Sequence, residues 1–271
     1  MLIESITSIY FSPTGTTKKI INSIIRGMEI ENNQIINLTF PEVRNTSIPS
    51  ISSDMVLIGV PVYEEKIPEI IYEVLTNLKG NGKPIVLVGV YGNIGDGIVL
   101  NQLDFIAKNS GFKVVAASSF IGEHSFSTDE IHIAQNRPNN DDIKKAEEFG
   151  KSIAEKIKRT KDLNDILIKI PQGKLPLMAK IVPKNSARLF TKTPIVDMSL
   201  CTHCNICVKL CPCGAINKEN LQIKEVQCLR CFSCVKRCPK NARKIVYTPR
   251  FVVSKVLKMK NKVIKEPKIY L

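Results

Sequence analysis

Eight of the nine cysteines of this 271-residue chain fall into two copies of one spacing, Cys201-x2-Cys204-x2-Cys207-x3-Cys211-Pro212 and Cys228-x2-Cys231-x2-Cys234-x3-Cys238-Pro239. A fold built on such a segment must bring thiolates together from several directions. A tight CxxCxxC loop can direct only three of them at one cube of iron and sulfide, so a fourth has to come from elsewhere in the chain. The proline after each fourth cysteine turns the chain away and stops a helix from running on through the ligand. Paired CxxC units also build tetrahedral zinc sites, but two zinc ions need neither a third CxxC step nor a Cys-Pro ending in both copies. A disulfide framework is disfavoured as well, because residues 1–11 read as a strand containing Glu4, without the basic start and cleavage site of a secretory leader. Iron-sulfur chemistry, and with it electron transfer, is the first expectation.

The two runs resemble the ligand run of bacterial two-cluster ferredoxins. That resemblance implies that the last cysteine of each run serves the other cluster, so that Cys201, Cys204, Cys207 and Cys238 hold one 4Fe-4S cluster and Cys228, Cys231, Cys234 and Cys211 hold the second. The repeat is complete without Cys213, which reads as a small buried or half-buried thiol. His203, between two ligands, reads as a loop residue beside a cluster. The second repeat departs from the first at Arg243, after Ala242, where the first has Ile216 after Ala215. A charge there is expected to expose the edge of the second cluster or to shift its potential.

The N-terminal half carries a second signal. The β-rich run 5–11 leads into Ser12-Pro13-Thr14-Gly15-Thr16-Thr17 and then into the helical apolar pattern Ile20, Ile21, Ile24, Ile25, Met28. Strand, hydroxyl-rich turn and helix in that order make an anion site, with N-H groups and hydroxyls directed at a phosphate near the positive helix end. The turn has no lysine and no GKS or GKT, which excludes a triphosphate P-loop. Neutral donors suit a terminal monoester phosphate, and four hydroxyl residues around one glycine exceed what an N-cap needs. Strand-like runs at 34–38, 55–60, 85–91 and 113–120 alternate with helical patterns over about 16–29, 68–79, 97–110 and 141–159, which argues an α/β fold with a doubly wound parallel sheet. Residues 40–53 read as mostly loop.

Ser12-x-Thr14-Gly15-x-Thr17 looks like the FMN phosphate loop of flavodoxins. The resemblance implies strand order 2-1-3-4-5, a ligand at the carboxyl ends of strands 1 and 3, and an FMN phosphate held by Ser12, Thr14, Gly15, Thr16 and Thr17. It also implies two ring-clasping loops, with Pro61, Val62 and Tyr63 after the third strand and Tyr91, Gly92 and Asn93 after the fourth. Tyr63 is the expected stacking residue, with ordinary surface packing as the alternative; the chain has no tryptophan for that role. His124, in the loop after the fifth strand, is the catalytic candidate, against a solvated or capping histidine. Gly92-x-x-Gly95-x-Gly97 has the wrong order for GxGxxG, so no built-in NAD(P)H domain is expected. The whole arrangement is similar to a family of fused flavodoxin/ferredoxin proteins, which implies electron transfer with FMN and two 4Fe-4S clusters and no defined substrate.

The expected organisation is a flavodoxin-like domain over 1–160, an extended proline-containing connector over 161–195 (Pro171, Pro176, Pro183, Pro194), a small α+β ferredoxin domain over 196–250 and a basic tail over 251–271. Charge is divided between the halves: residues 1–150 hold 12 Lys+Arg and 18 Asp+Glu, whereas residues 151–271 hold 27 and 7. Acidic redox proteins are the expected partners. Nucleic acid is not expected, because the basic half lacks an interleaved aromatic platform and any recognised motif. The tail mixes Val, Leu and Ile with six lysines, a composition open to contact with an anionic membrane surface but more ordinary in a helix or arm packed on its own protein, with Pro267 limiting any helix. No apolar run approaches the roughly 18 residues of a membrane span, so a soluble, cytoplasmic protein is expected. The functional expectation is a relay of electrons between the two clusters and FMN. The alternatives are a flavin-dependent reductase of a small molecule fed by the clusters, and a redox sensor with a vestigial flavin site.

Overall fold

The strands β1 (Ser5–Tyr10), β2 (Asn32–Asn37), β3 (Met55–Pro61), β4 (Pro84–Tyr91) and β5 (Lys113–Ile121) lie in the order β2-β1-β3-β4-β5, all parallel, in the computed structural model, which describes residues 2–46, 48–175 and 185–271. β3 and β4 are buried along nearly their whole length, as central strands covered on both faces must be, and their sequences are accordingly near-continuous apolar runs. One face is covered by α1 (Thr16–Met28) and, later in the chain, by a 20-residue helix at Asn140–Arg159; the other by helices at Glu69–Thr76 and Val99–Asn109. With the single turn at Pro41–Arg44 as α2, these are α5, α3 and α4. Two apolar cores result, one on each side of the sheet.

α1 and α5 cross at their glycines. A Cβ on Gly27 would stand 1.9 Å from the Glu147 carbonyl oxygen, and one on Gly150 would stand 2.0 Å from that of Ile24. The missing side chains let the backbones touch. α5 opens on a capping box between Asn139 and Asp142, and Arg137 pairs with the same Asp142.

From residue 163 the chain runs back over this domain. Leu163 and Ile166 pack on the α1/α5 side and Ile168 and Ile170 on the other, while the Asn101 side chain holds the Pro171 carbonyl at 3.1 Å and the Gly173 N-H at 2.7 Å. Pro176 and Pro183 of the expected connector lie outside the described residues. The cysteine-rich segment then comprises short pieces: α6 (Ala187–Phe190), β6 (Ile195–Val196), α7 (Ile206–Lys209), α8 (Ser233–Lys236) and β7 (Arg243–Lys244), with β6 and β7 paired antiparallel.

The tail forms a helix and a strand on the chain's own surface. In α9 (Arg250–Lys260), Val253 and Leu257 bury themselves against Ile131 and Ile133. Beyond it, β8 (Lys268–Tyr270) adds a sixth, antiparallel strand to the free edge of β5. Among the described residues no helix is long and apolar enough to cross a membrane.

Candidate dicluster centre and the adjoining crevice

Both cysteine runs repeat one backbone geometry. The residues flanking the second cysteine are left-handed in each: His203 (φ 52°) and Asn205 (56°), then Arg230 (56°) and Phe232 (55°). A third left-handed residue follows each fourth cysteine, Gly214 (59°) and Asn241 (50°). Alternating right- and left-handed residues turn successive N-H groups to one side, making a concavity suited to an anionic group such as an iron-sulfur cluster. Left-handed side-chain-bearing residues cost free energy and persist where the surroundings impose them. The fourth thiols are hydrogen-bonded alike, Ala215 N-H to Cys211 Sγ and Ala242 N-H to Cys238 Sγ, each at 3.3 Å.

Two hollows follow from this geometry. Cys201, Cys204, Cys207 and Cys238 line one, and Cys211, Cys228, Cys231 and Cys234 line another. The fourth cysteine of each run thus lies with the first three of the other. Around zinc, with Zn–S near 2.3 Å, ligand sulfurs crowd to about 4 Å of one another. Among the described residues no group of three or more His, Cys, Asp or Glu converges to hold a single metal ion. Burial pushes the Cys234 thiol up to about 12 and that of Cys231 well above its ordinary value, so coordination to metal is what would keep them ionised at neutral pH. The first hollow is the outer one, since Cys204 is exposed; the second is the inner one, since Cys231 and Cys234 are buried.

Arg243 corrects one expectation. It does not open a cluster edge to solvent, because it is 3% exposed. Its Nη2 donates to the Leu221 carbonyl at 2.7 Å, while Nε and Nη1 are buried without partners. It lines the outer hollow, and its charge also acts on Cys234 of the inner set. Cys213 is half-buried beside the inner hollow, its thiol pushed up to about 12 by burial. His203 is an exposed loop residue.

In a sheet of this order, ligands bind in the crevice outside the carboxyl ends of β1 and β3. The hydroxyl loop at that place is laid out for an anion. Gly15 is left-handed (φ 94°), Ser12 Oγ accepts the Lys18 N-H at 3.0 Å, and Thr14 and Thr16 Oγ1 lie 3.3 Å apart. Thr17 is fully buried with its Oγ1 unpartnered. This donor set fits a phosphate.

The flanking loops are tied to each other and to neighbouring segments. Val62 N-H donates to the Val90 carbonyl and Ile98 N-H to that of Glu65, each at 2.9 Å, tying the loop after Pro61 to the loop after β4. A Cβ on Gly97 would stand 2.2 Å from the Glu65 carbonyl oxygen, and one on Gly92 would stand 2.4 Å from His124 Cδ2. Asn93 is fully buried and holds the C-terminal segment, donating to Asn261 Oδ1 at 3.0 Å and the Val263 carbonyl at 2.9 Å and accepting the Lys265 N-H at 2.9 Å. Tyr91 is buried with its hydroxyl unpartnered and Lys265 over its ring. Tyr63 meets Phe11 edge-on, 6.4 Å between centroids, and burial with the nearby Cys231 and Cys213 raises its pKa. The residues present at the loop therefore fit a phosphate group.

The crevice is filled by the cysteine-rich segment itself. Ser233 Oγ donates to the Pro13 carbonyl at 2.6 Å, and Lys236 pairs with Glu123. A Cβ on Gly15 would come within 2.9 Å of Arg237 Nη1. Phe232, 1% exposed, meets Phe126 edge-on at 5.1 Å, and Phe126 meets His124 at 5.2 Å. Arg44 donates to the Leu38 and Thr39 carbonyls and to that of Pro212 in the first cysteine run. His124 is a structural acceptor here: its Nδ1 receives the Phe126 N-H at 3.1 Å, and burial together with the Lys236 charge lowers its pKa to about 4. Ser233, Lys236, Arg237 and Arg44 escaped the sequence reading. The signal available was the mismatch between repeats, Asn205-Ile206 in one against Phe232-Ser233 in the other.

A family model, the 4Fe-4S dicluster domain, matches residues 193–239. Among solved structures the chain is similar to a flavodoxin from the domain Archaea, at 18% identity, covering 57% of this chain and 99% of that one with a TM-score of 0.41. It is similar also to the two-electron reduced flavodoxin of Megasphaera elsdenii (20%, 55% and 98%, 0.38) and to oxidised flavodoxin 2 of Bacillus cereus (16%, 56% and 99%, 0.41). Among curated proteins no sequence matches the chain. The chain thus joins an α/β domain with the parallel sheet order 2-1-3-4-5 to a segment that matches the 4Fe-4S dicluster domain.

Proposed function

We propose that the protein is an electron carrier in which the outer cysteine set faces a redox partner and the inner set is sheltered against the α/β domain. The observation that supports this reading is the sorting of eight cysteines into two hollows, one rimmed by exposed Cys204 and the other closed by buried Cys231 and Cys234. A 4Fe-4S cluster in each hollow supplies reversible one-electron chemistry. The chain's own residues do the rest. The thiolates hold the iron, the left-handed turns direct N-H groups inward, Arg243 places a buried charge, and the Phe232–Ser233 face excludes water from the inner site. The partner fitted to this surface is an acidic redox protein docking near Lys240, which lines the outer hollow in a half carrying 27 Lys+Arg against 7 Asp+Glu.

Onward transfer to FMN is a second reading, favoured by the phosphate-fitting Ser12–Thr17 loop. Both are tested on anaerobically purified protein by iron, acid-labile sulfide and extractable flavin per chain. About eight irons, reducible by dithionite, is the expected result. Four irons or fewer would overturn the two-cluster reading, and one FMN per chain would favour the second.

A further inference from the structure

α9 is apolar on two sides, and the protein packs only one of them. Val253 and Leu257 are buried against Ile131 and Ile133. Val252, Val256 and Met259 recur at i, i+4 and i+7 and form a second, exposed stripe about a third of the way round the helix, with Phe251, 77% exposed, beyond it. Val263 and Ile264, just past the helix, are exposed as well. Asn93 fixes that stretch through the Val263 carbonyl and the Lys265 N-H, so these side chains are held outward by the fold.

The charge around the stripe is of one sign. Residues 250–265 contain Arg250, Lys255, Lys258, Lys260, Lys262 and Lys265 and no Asp or Glu. Two carboxylates beside this stretch are engaged, Glu130 with Arg250 and Glu266 with Lys145. Lys255, Lys258 and Lys262 are exposed, and among the described residues they form no ion pair. Lys255, four residues from both Phe251 and Met259, lies within the apolar side itself. Protein interfaces are depleted of lysine, which disfavours a protein as the occupant of this face. A helix lying on an anionic bilayer has this composition: apolar side chains enter the acyl boundary, while lysine stems run along the apolar surface and lift their ammonium groups to the lipid phosphates.

We propose that the outer face of α9, with Val263 and Ile264, is a docking surface for an anionic lipid bilayer. Phe251, Val252, Val256 and Met259 enter the boundary between headgroups and chains, and Lys255, Lys258 and Lys262 hold the anionic headgroups. The helix lies on the bilayer, since its 11 residues fall far short of a span.

The test is flotation of the full-length, cluster-loaded protein with vesicles of phosphatidylcholine and phosphatidylglycerol in equal parts, and with vesicles of phosphatidylcholine alone. The wild type should float with the anionic vesicles and not with the neutral ones, and less as salt is raised. Phe251→Ser should weaken that binding about tenfold, and Lys255→Gln, Lys258→Gln and Lys262→Gln together about a hundredfold. All four side chains are exposed, so the cluster spectrum should not change. The chain has no tryptophan, so Phe251→Trp supplies a single reporter, whose emission should shift to the blue and be quenched by brominated lipid when anionic vesicles are added. The proposal is overturned if the wild type does not float with anionic vesicles, or if Phe251→Ser floats equally well, which would mark plain adsorption of a basic protein. It is overturned also if the Phe251→Trp emission does not move, or if the face serves a protein instead, seen as a Phe251-dependent dimer in sedimentation or as slower electron exchange of Phe251→Ser with an acidic ferredoxin in the absence of lipid. The electron-carrier reading falls separately, on iron content and reducibility measured in the same samples.

Discussion

Replacing Arg243 by isoleucine, the residue the first repeat carries at the same place, should make the protein harder to reduce. Reduction adds a negative charge to a cluster, and a buried cation nearby stabilises that state. Arg243 is 3% exposed, lines the outer hollow and acts on Cys234 of the inner one, so solvent screens it little. For unit charges about 8 Å apart at an effective dielectric constant of about 20, the interaction is about 2 kcal/mol. Allowing for charge spread over the cluster, about 1–2 kcal/mol remains, which for one electron is a lowering of about 40–90 mV. Potentiometric titration followed by electron paramagnetic resonance would measure it, with Arg243→Lys as the charge-retaining control. An unchanged or higher potential in Arg243→Ile, with both clusters present, would refute the argument that this buried charge tunes them.

Four further outcomes follow from the structure. Cys238→Ser should halve the iron content by removing the outer cluster although Cys238 belongs to the second run, whereas Cys213→Ser should leave iron unchanged; elemental analysis distinguishes them. Gly150→Ala should destabilise the α1/α5 contact by about 1–3 kcal/mol, read as a fall of several degrees in Tm, and an unshifted Tm would deny that contact its tightness. Asn93→Ala should cost about 2 kcal/mol by stranding three hydrogen-bonding groups of the C-terminal segment, and should speed proteolytic clipping after residue 258. His124, neutral when folded and lowered from 6.5 to about 4, takes up a proton more readily when unfolded. Its contribution to stability is therefore present above about pH 6.5 and lost as pH falls toward 4, and His124→Gln should flatten that slope in pH-dependent denaturation.

The parts legible in the sequence were those written in local spacing. The cysteine repeat, the apolar runs of β3 and β4, and the strand-to-hydroxyl-turn-to-helix order at Ser12–Thr17 each confine their signal to a few neighbouring residues. What could not be read depends on contacts between distant segments. Ser233 and Pro13 are 220 residues apart and Asn93 and Lys265 are 172 apart, and no period or motif announces either pair. β8 is three residues long among lysines, too short for alternation to mark it. The ring-clasping role expected of Tyr63 and Asn93 rested on loop position, and in the structure those side chains face Phe11 and the C-terminal segment.

The return of the chain to the sheet at β8 sets a limit on how the dicluster domain can move. Its leading end emerges from the segment anchored at Asn101, and its trailing end is drawn back through Asn93 to the edge of β5. A domain held at both ends cannot sweep out the volume open to one hung from a single linker, so a swinging arm that ferries electrons between distant sites is closed to this architecture. On the proposed electron-carrier role, a partner would have to come to Cys204 by diffusion.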